Sequence, residues 1–273
     1  MYLLVYRMFH WDYVSFMAGF EEKPEGGFEA DWRARFDRFA ARGGSEATVS
    51  GWSEHGLARR LRAISLSLRN HSPESGARVV DLGCGTGVYC DTLHAMGFSP
   101  VGADFSLGML RRAQEVTDDV PLCAADLNAL PFGDGQFGGL VNVGVLQHLS
   151  RVDGALGEMS RVLKPNAMAY LITLNRWSLH SCAAALIGRL KAWRQGQWVP
   201  RQHAVRRSVG DLLHQAQTAG FEQVEVVGVY LFPSGFGFLE RILDRLDFLK
   251  MPITKRPLFL FMANAYQLVL RRS

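Results

Sequence analysis

The stretch Val79–Cys90, VVDLGCGTGVYC, decides the fold. Its first residues, with Arg78, form a short apolar run that ends abruptly at glycine, the pattern of a buried strand running into a tight turn. Gly83, Gly85 and Gly87 follow at alternate positions. Glycines at this spacing let the backbone turn sharply and approach a ligand closely. A helix beginning there offers its free N–H groups to an anionic or polar group. The dinucleotide fingerprint spaces its glycines GxGxxG. Here the spacing is GxGxG, with Val88 where the last glycine would stand, which counts against a nicotinamide cofactor.

Working outward, strand and helix patterns alternate. After strand Arg78–Leu82 come helix Gly87–Met96, strand Ser99–Ala103, helix Ser106–Val116, strand Val120–Ala124 and strand Phe137–Val143. Helix Arg151–Leu163 stops at Pro165, and strand Ala167–Leu174 follows. Further on lie helix Ser208–Ala219, strand Gln223–Tyr230, an apolar loop and helix over Leu231–Leu249, and a last strand, Ala263–Leu270. Such alternation implies an α/β fold, a Rossmann-like seven-stranded sheet with helices on both faces and the last strand antiparallel. Ligands in such sheets bind at the carboxyl ends of the strands, near the switch in strand order.

Upstream, residues 1–76 read as an N-terminal helical cover. Asp31–Arg42 places Trp32, Phe36 and Phe39 on one face, and Ser53–Leu68 repeats Leu57, Leu61, Ile64 and Leu68. Residues 77–273 form the main domain, with an insert at 175–207. The 273 residues are 48% hydrophobic and 21% charged, ordinary values for a globular protein. Cys84, Cys90, Cys123 and Cys182 have no zinc-ligand spacing and read as reduced thiols in a cytoplasmic protein. No basic start or cleavage site suggests a signal peptide, and no apolar run reaches membrane-span length. The net charge of +4 is unevenly spread: Ser160–Gly210 holds nine Lys or Arg and no acid, leaving 21 basic against 26 acidic side chains elsewhere.

The sequence resembles the class I S-adenosylmethionine-dependent methyltransferases, especially the small-molecule type of ubiquinone and menaquinone biosynthesis. The resemblance rests on Val79–Cys90, Val101-Gly-Ala-Asp104-Phe-Ser106, Ala125-Asp126-Leu127, Leu130-Pro131-Phe132, Asp134–Phe137, Val145-Leu146-Gln147-His148-Leu149 and Arg161-Val-Leu-Lys-Pro165. It implies S-adenosylmethionine as cofactor. Asp104 then accepts both ribose hydroxyls and Asp126 the adenine amino group, beside the Leu127 amide. Phe105 and Met109 line the adenine pocket. Asp81 with the loop of Gly83, Gly85 and Gly87 orients the methionyl end, and Val143 contacts it through its backbone. The family has glycines after the proline of RVLKP; Asn166-Ala167 stands here, implying a less tight turn.

The expected activity is methyl transfer to the O, N or C of a small-molecule acceptor. His148, just after the fourth strand, is the leading catalytic residue, as a general base; packing is the competing role for it. The chain reads Asn142-Val-Gly-Val145 where adenine- and glutamine-N-methylating relatives carry a proline-proline-aromatic motif, which argues against those acceptors. The insert holds Trp177, Trp193, Trp198, His180 and His203 amid six basic residues from Arg189 to Arg207. It reads as a lid for an anionic, lipid-like acceptor or as a solvated basic face, and peripheral membrane contact is compatible with it. Two other readings stay open: methylation of tRNA or other RNA, which the mild net charge disfavours, and non-catalytic binding of the cofactor.

Overall fold

The computed structural model describes residues 28–42, 44, 46–49, 52, 54–117, 119–178, 182, 204–230 and 263–273. The helix expected over Leu231–Leu249 and most of the insert lie outside them. Three helices come first: α1 (Phe28–Arg42), α2 (Glu46–Val49) and α3 (Glu54–Asn70). Then follow β1 (Arg78–Leu82), α4 (Val88–Ala95), β2 (Ser99–Asp104), α5 (Leu107–Val116), β3 (Leu122–Ala124) and β4 (Phe137–Val143). A 3₁₀ turn (Leu146–His148) leads to α6 (Asp153–Val162), β5 (Leu163–Leu174), α7 (Val209–Thr218), β6 (Phe221–Tyr230) and β7 (Ala265–Arg272).

The seven strands lie in the order β3-β2-β1-β4-β5-β7-β6. All neighbours are parallel except β7, which runs antiparallel to both β5 and β6. The seven-stranded sheet and its antiparallel last strand stand as the sequence implied. Side chains alternate between two cores, as the period of two in a strand requires. Val80, Leu82, Leu140, Ala169 and Leu171 pack with α6 and α7 on one face. Val79, Val141, Val143, Tyr170 and Ile172 pack with α3 and α4 on the other. Burial on both faces explains why these strands read as unbroken apolar runs.

Strand order reverses between β1 and β4, and Asn142 holds that point together, its Nδ2 donating to the Leu82 carbonyl at 2.7 Å. β5 begins at Leu163, four residues earlier than expected. Asn166 within it adopts φ 64°, the left-handed conformation a glycine would take. The expected loosening of this turn is therefore corrected: asparagine tolerates that region and the sharp turn persists. Among the described residues, no helix is long and apolar enough to cross a membrane.

Candidate functional site

At the carboxyl ends of β1, β2 and β4 lies a cavity of about 420 Å³, within the usual range for small-molecule sites. Its floor is the glycine loop. Gly83, Gly85 and Gly87 take φ of 76°, 54° and 88°, all left-handed. Gly83 and Gly85 line the cavity, whereas Gly87 is not among its walls. A Cβ on Gly87 would lie 2.5 Å from Thr117 Cγ2, so this glycine serves the close packing of α4 against the end of α5. A Cβ on Gly85 would meet nothing within 4 Å, so the loop presents open space there.

Asp104 ends β2 and is almost fully buried. Gly85 N donates to its Oδ2 and Ser106 N to its Oδ1, each at 2.9 Å. One lone pair of each oxygen is thus taken by backbone and the others remain available at the cavity wall. Burial pushes its pKa up to about 6, against the pull of the Ser106, Gly85 and Phe105 amides. Phe105, Met109, Leu127 and Val143 also line the cavity. Asp126 lines it too and is exposed. Its Oδ1 accepts from the Asn128 backbone and side-chain nitrogens at 2.9 and 3.1 Å, an Asx turn that fixes the carboxylate at the mouth.

Asp81 lies beneath the loop, fully buried and outside the cavity wall. Its Oδ2 accepts from Cys90 Sγ at 3.7 Å, and its Oδ1 has no hydrogen-bond partner among the described residues. Burial, with Asp104 nearby, raises its pKa to about 8. Asp81 in β1 and Asp104 at the end of β2 stand on adjacent strands, and of the two only Asp104 reaches the cavity wall. Tyr89 Oη, in the cavity wall, is likewise buried without a partner.

His148 lines the opposite end, beside Gly144, Val145 and Leu149. The Trp32 ring lies against it with centroids 3.8 Å apart and planes tilted by 55°, and Phe36 meets it edge-on at 5.2 Å. Burial and the Arg35 charge depress its pKa to about 3, so the imidazole is neutral at ordinary pH. The ring is packed against α1 and also lines the cavity.

The N-terminal helices are expected from the sequence to fold over the cofactor, but which of their residues form the roof was not legible there. Ala30, Arg33, Ala34, Phe36 and Asp37 of α1, with Trp52, close the cavity from above. Asp37 Oδ1 accepts from Ser106 Oγ at 2.5 Å and from Gly108 N at 3.2 Å, latching α1 onto the start of α5. Gly108 permits this: a Cβ there would stand 3.3 Å from Asp37 Cα. The aromatic face of α1 signalled burial, but nothing in its spacing named which of its residues line the cavity.

The basic insert reads differently in three dimensions. Arg207 is buried, and its guanidinium donates to the Leu146, Leu149 and Ser150 carbonyls. Arg206 donates to Asn264 Oδ1 at 3.2 Å. Arg161 is held by Glu158 and Asp134 at 2.7 Å each. None of the described basic residues of the acid-free stretch lines the cavity. Arg207 is thus no part of a solvated basic face. Arg189, Lys191, Arg194 and Arg201, with His180, His203, Trp193 and Trp198, lie outside the described residues.

Residues 80–171 match the family model described as a methyltransferase domain. That stretch is similar to methyltransferase domains. S-adenosylmethionine is the cofactor of such domains, and the open glycine backbone, the paired acids and the unpartnered Tyr89 Oη of this cavity fit it. The curated relatives include the ubiquinone biosynthesis O-methyltransferase of Brucella ovis, 30% identical over 133 residues, 47% of this chain and 52% of that protein. The chain therefore spans about half the length of the curated relatives it matches. Among solved structures, an S-adenosylmethionine-dependent methyltransferase from Mesorhizobium loti is 24% identical with TM-score 0.52, over 76% of this chain and 96% of that one. The magnesium protoporphyrin IX methyltransferase of Synechocystis PCC 6803, solved with bound S-adenosylhomocysteine, is 16% identical with TM-score 0.61, over 90% and 96%. These two are likenesses of fold.

Proposed function

We propose that this chain transfers a methyl group from S-adenosylmethionine to a small-molecule acceptor, with oxygen as the favoured nucleophile. The observation that carries the reading is Asp104, buried at the end of β2 and braced by the Gly85 amide, so that loop and carboxylate form one surface. The cofactor supplies a methyl group already activated on a sulfonium. The protein's task is alignment, water exclusion and handling of one proton.

On this reading Asp104 accepts the two ribose hydroxyls, and Phe105, Met109 and Leu127 enclose the adenine, whose amino group faces Asp126. Gly83 and Gly85 take the methionyl end with the Val143 backbone, Asp81 orients that loop from beneath, and Gly87 supports it from behind. The acceptor enters between α1 and the turn after β4, against Phe36, Trp52, Val145 and His148. These walls favour a planar, largely apolar molecule. His148, neutral and facing the cavity, accepts the acceptor hydroxyl's hydrogen bond. Because burial leaves it a weak base, it takes the proton only as the new bond to the methyl carbon forms, the methyl–sulfur bond breaks and the oxygen becomes strongly acidic. The name of the curated relatives, ubiquinone biosynthesis O-methyltransferase, supports an oxygen acceptor.

The test is isotope-labelled S-adenosylmethionine incubated with the protein and a cell extract, the products separated by mass. Label is expected in a small-molecule fraction, and label in RNA, in protein or nowhere would overturn the reading. In the same assay H148Q should slow transfer by about a hundredfold, the low end of what a general base contributes. Its affinity for S-adenosylhomocysteine should hold, and an unchanged rate removes the proton-accepting role.

A further inference from the structure

Arg207 is a buried cation beside the cavity that the proposed reaction does not use. It is 8% exposed, and its partners are three backbone carbonyls: Nη1 donates to Leu146 at 2.6 Å, and Nη2 to Leu149 at 2.8 Å and Ser150 at 3.3 Å. Those carbonyls end the turn after β4, the segment that carries Val145, His148 and Leu149 into the cavity wall. A guanidinium presents several donors in one rigid plane, which a lysine ammonium cannot reproduce. The free carbonyls at the end of a helical turn also carry partial negative charge, which favours a cation there.

The same residue joins the two ends of the insert. Arg207 bridges Asn175 in parallel, and its carbonyl accepts from Arg176 N at 3.1 Å and from Tyr266 Oη at 3.4 Å. Two residues earlier, Val205 N donates to the Gln147 carbonyl at 2.8 Å. The chain entering the insert, the chain leaving it and the His148 turn are thus tied at one point.

We propose that Arg207 is a positioning residue: it fixes the turn after β4, sets the His148 ring against Trp32, and couples that ring to the base of the insert. This rests on the reading of the cavity as the reaction site. Arg207 touches neither the glycine loop nor Asp104, so its effect falls on the acceptor end and spares the cofactor end.

The experiment compares wild type, R207K and R207M by proton NMR of the His148 ring, alongside calorimetric binding of S-adenosylhomocysteine. In wild type the ring protons lie in the ring-current field of Trp32. In R207M they are expected to move toward the positions of a free histidine, and in R207K by less, with the affinity for S-adenosylhomocysteine unchanged in both. Should R207M fail to fold, the R207K displacement alone decides. His148 signals identical to wild type in a folded variant would overturn the proposal, as would an affinity that falls together with thermal stability. A wild type that binds no S-adenosylhomocysteine would instead sink the cofactor reading, while the His148 shifts would still decide the role of Arg207.

Discussion

Replacing Asp104 with alanine should lower the affinity for S-adenosylhomocysteine by roughly two to four orders of magnitude, because each of the two hydrogen bonds lost to a charged acceptor is worth about 1.5–3 kcal/mol. The same substitution leaves Gly85 N and Ser106 N without the oxygens they now donate to at 2.9 Å, so the loop loses its brace as well. D104N separates these contributions: it keeps the shape and one acceptor but loses the charge. The carboxylate also predicts a pH dependence. Its pKa is raised to about 6 in the free protein. Hydroxyl donors favour the ionised form and lower that pKa in the complex, so below about pH 6 binding must expel a proton. The Asp104 contribution to affinity should therefore be level above pH 7 and fall as the pH drops through 6, approaching about tenfold per unit, and D104N should lack this contribution. Calorimetry from pH 5 to 8 measures both. An unaltered affinity in D104A would remove the ribose-binding role.

The second large effect distinguishes two glycines of one loop. Gly83→Ala should unfold or severely destabilise the protein. Its φ of 76° costs a side chain about 1–2 kcal/mol, and the new Cβ would stand 2.2 Å from Val145 Cγ2. Relieving that clash in a packed core costs about 1–3 kcal/mol more. The total is a large share of the roughly 5–15 kcal/mol that holds a typical domain. Gly85→Ala has the same handedness of strain but no neighbour within 4 Å. It should fold with a loss of about 1–2 kcal/mol while its methyl group occupies the space through which the loop meets a ligand. Thermal melts with and without S-adenosylhomocysteine check the pair. G85A should melt close to wild type yet lose the ligand-induced rise, and G83A should melt far below. A G83A protein as stable as G85A would refute the packing account.

The strands were legible because burial on both faces makes each a short apolar run bounded by glycine, proline or polar residues. β1 and β4 stand at the residues expected for them, Arg78–Leu82 and Phe137–Val143. Boundaries moved where backbone geometry overrode residue type. β5 starts at Leu163 and runs through Pro165, because Asn166 takes a left-handed conformation that propensity alone does not grant it. The cavity floor was legible too, since a loop joining adjacent elements is local in sequence. Gly87 and Asp81 stand behind the cavity wall, and for Gly87 the distinction depends on Thr117, thirty residues away.

The stretch Val79–Cys90 by itself implied a buried strand running into a glycine turn, and the strand–helix alternation around it implied the α/β sheet. Those features follow from local rules: glycine permits left-handed turns, and buried strands exclude charge. Only the tertiary structure decided what encloses the cavity and which cations are free. Asp37 latches α1 to Ser106 across 69 positions, and Arg207 turns inward to three carbonyls across about 60. Charge counting treats every arginine as solvated, whereas a guanidinium surrounded by backbone oxygens is part of the scaffold. Contacts of that range leave no period or spacing in the chain, because they are set by where the sheet brings distant segments together.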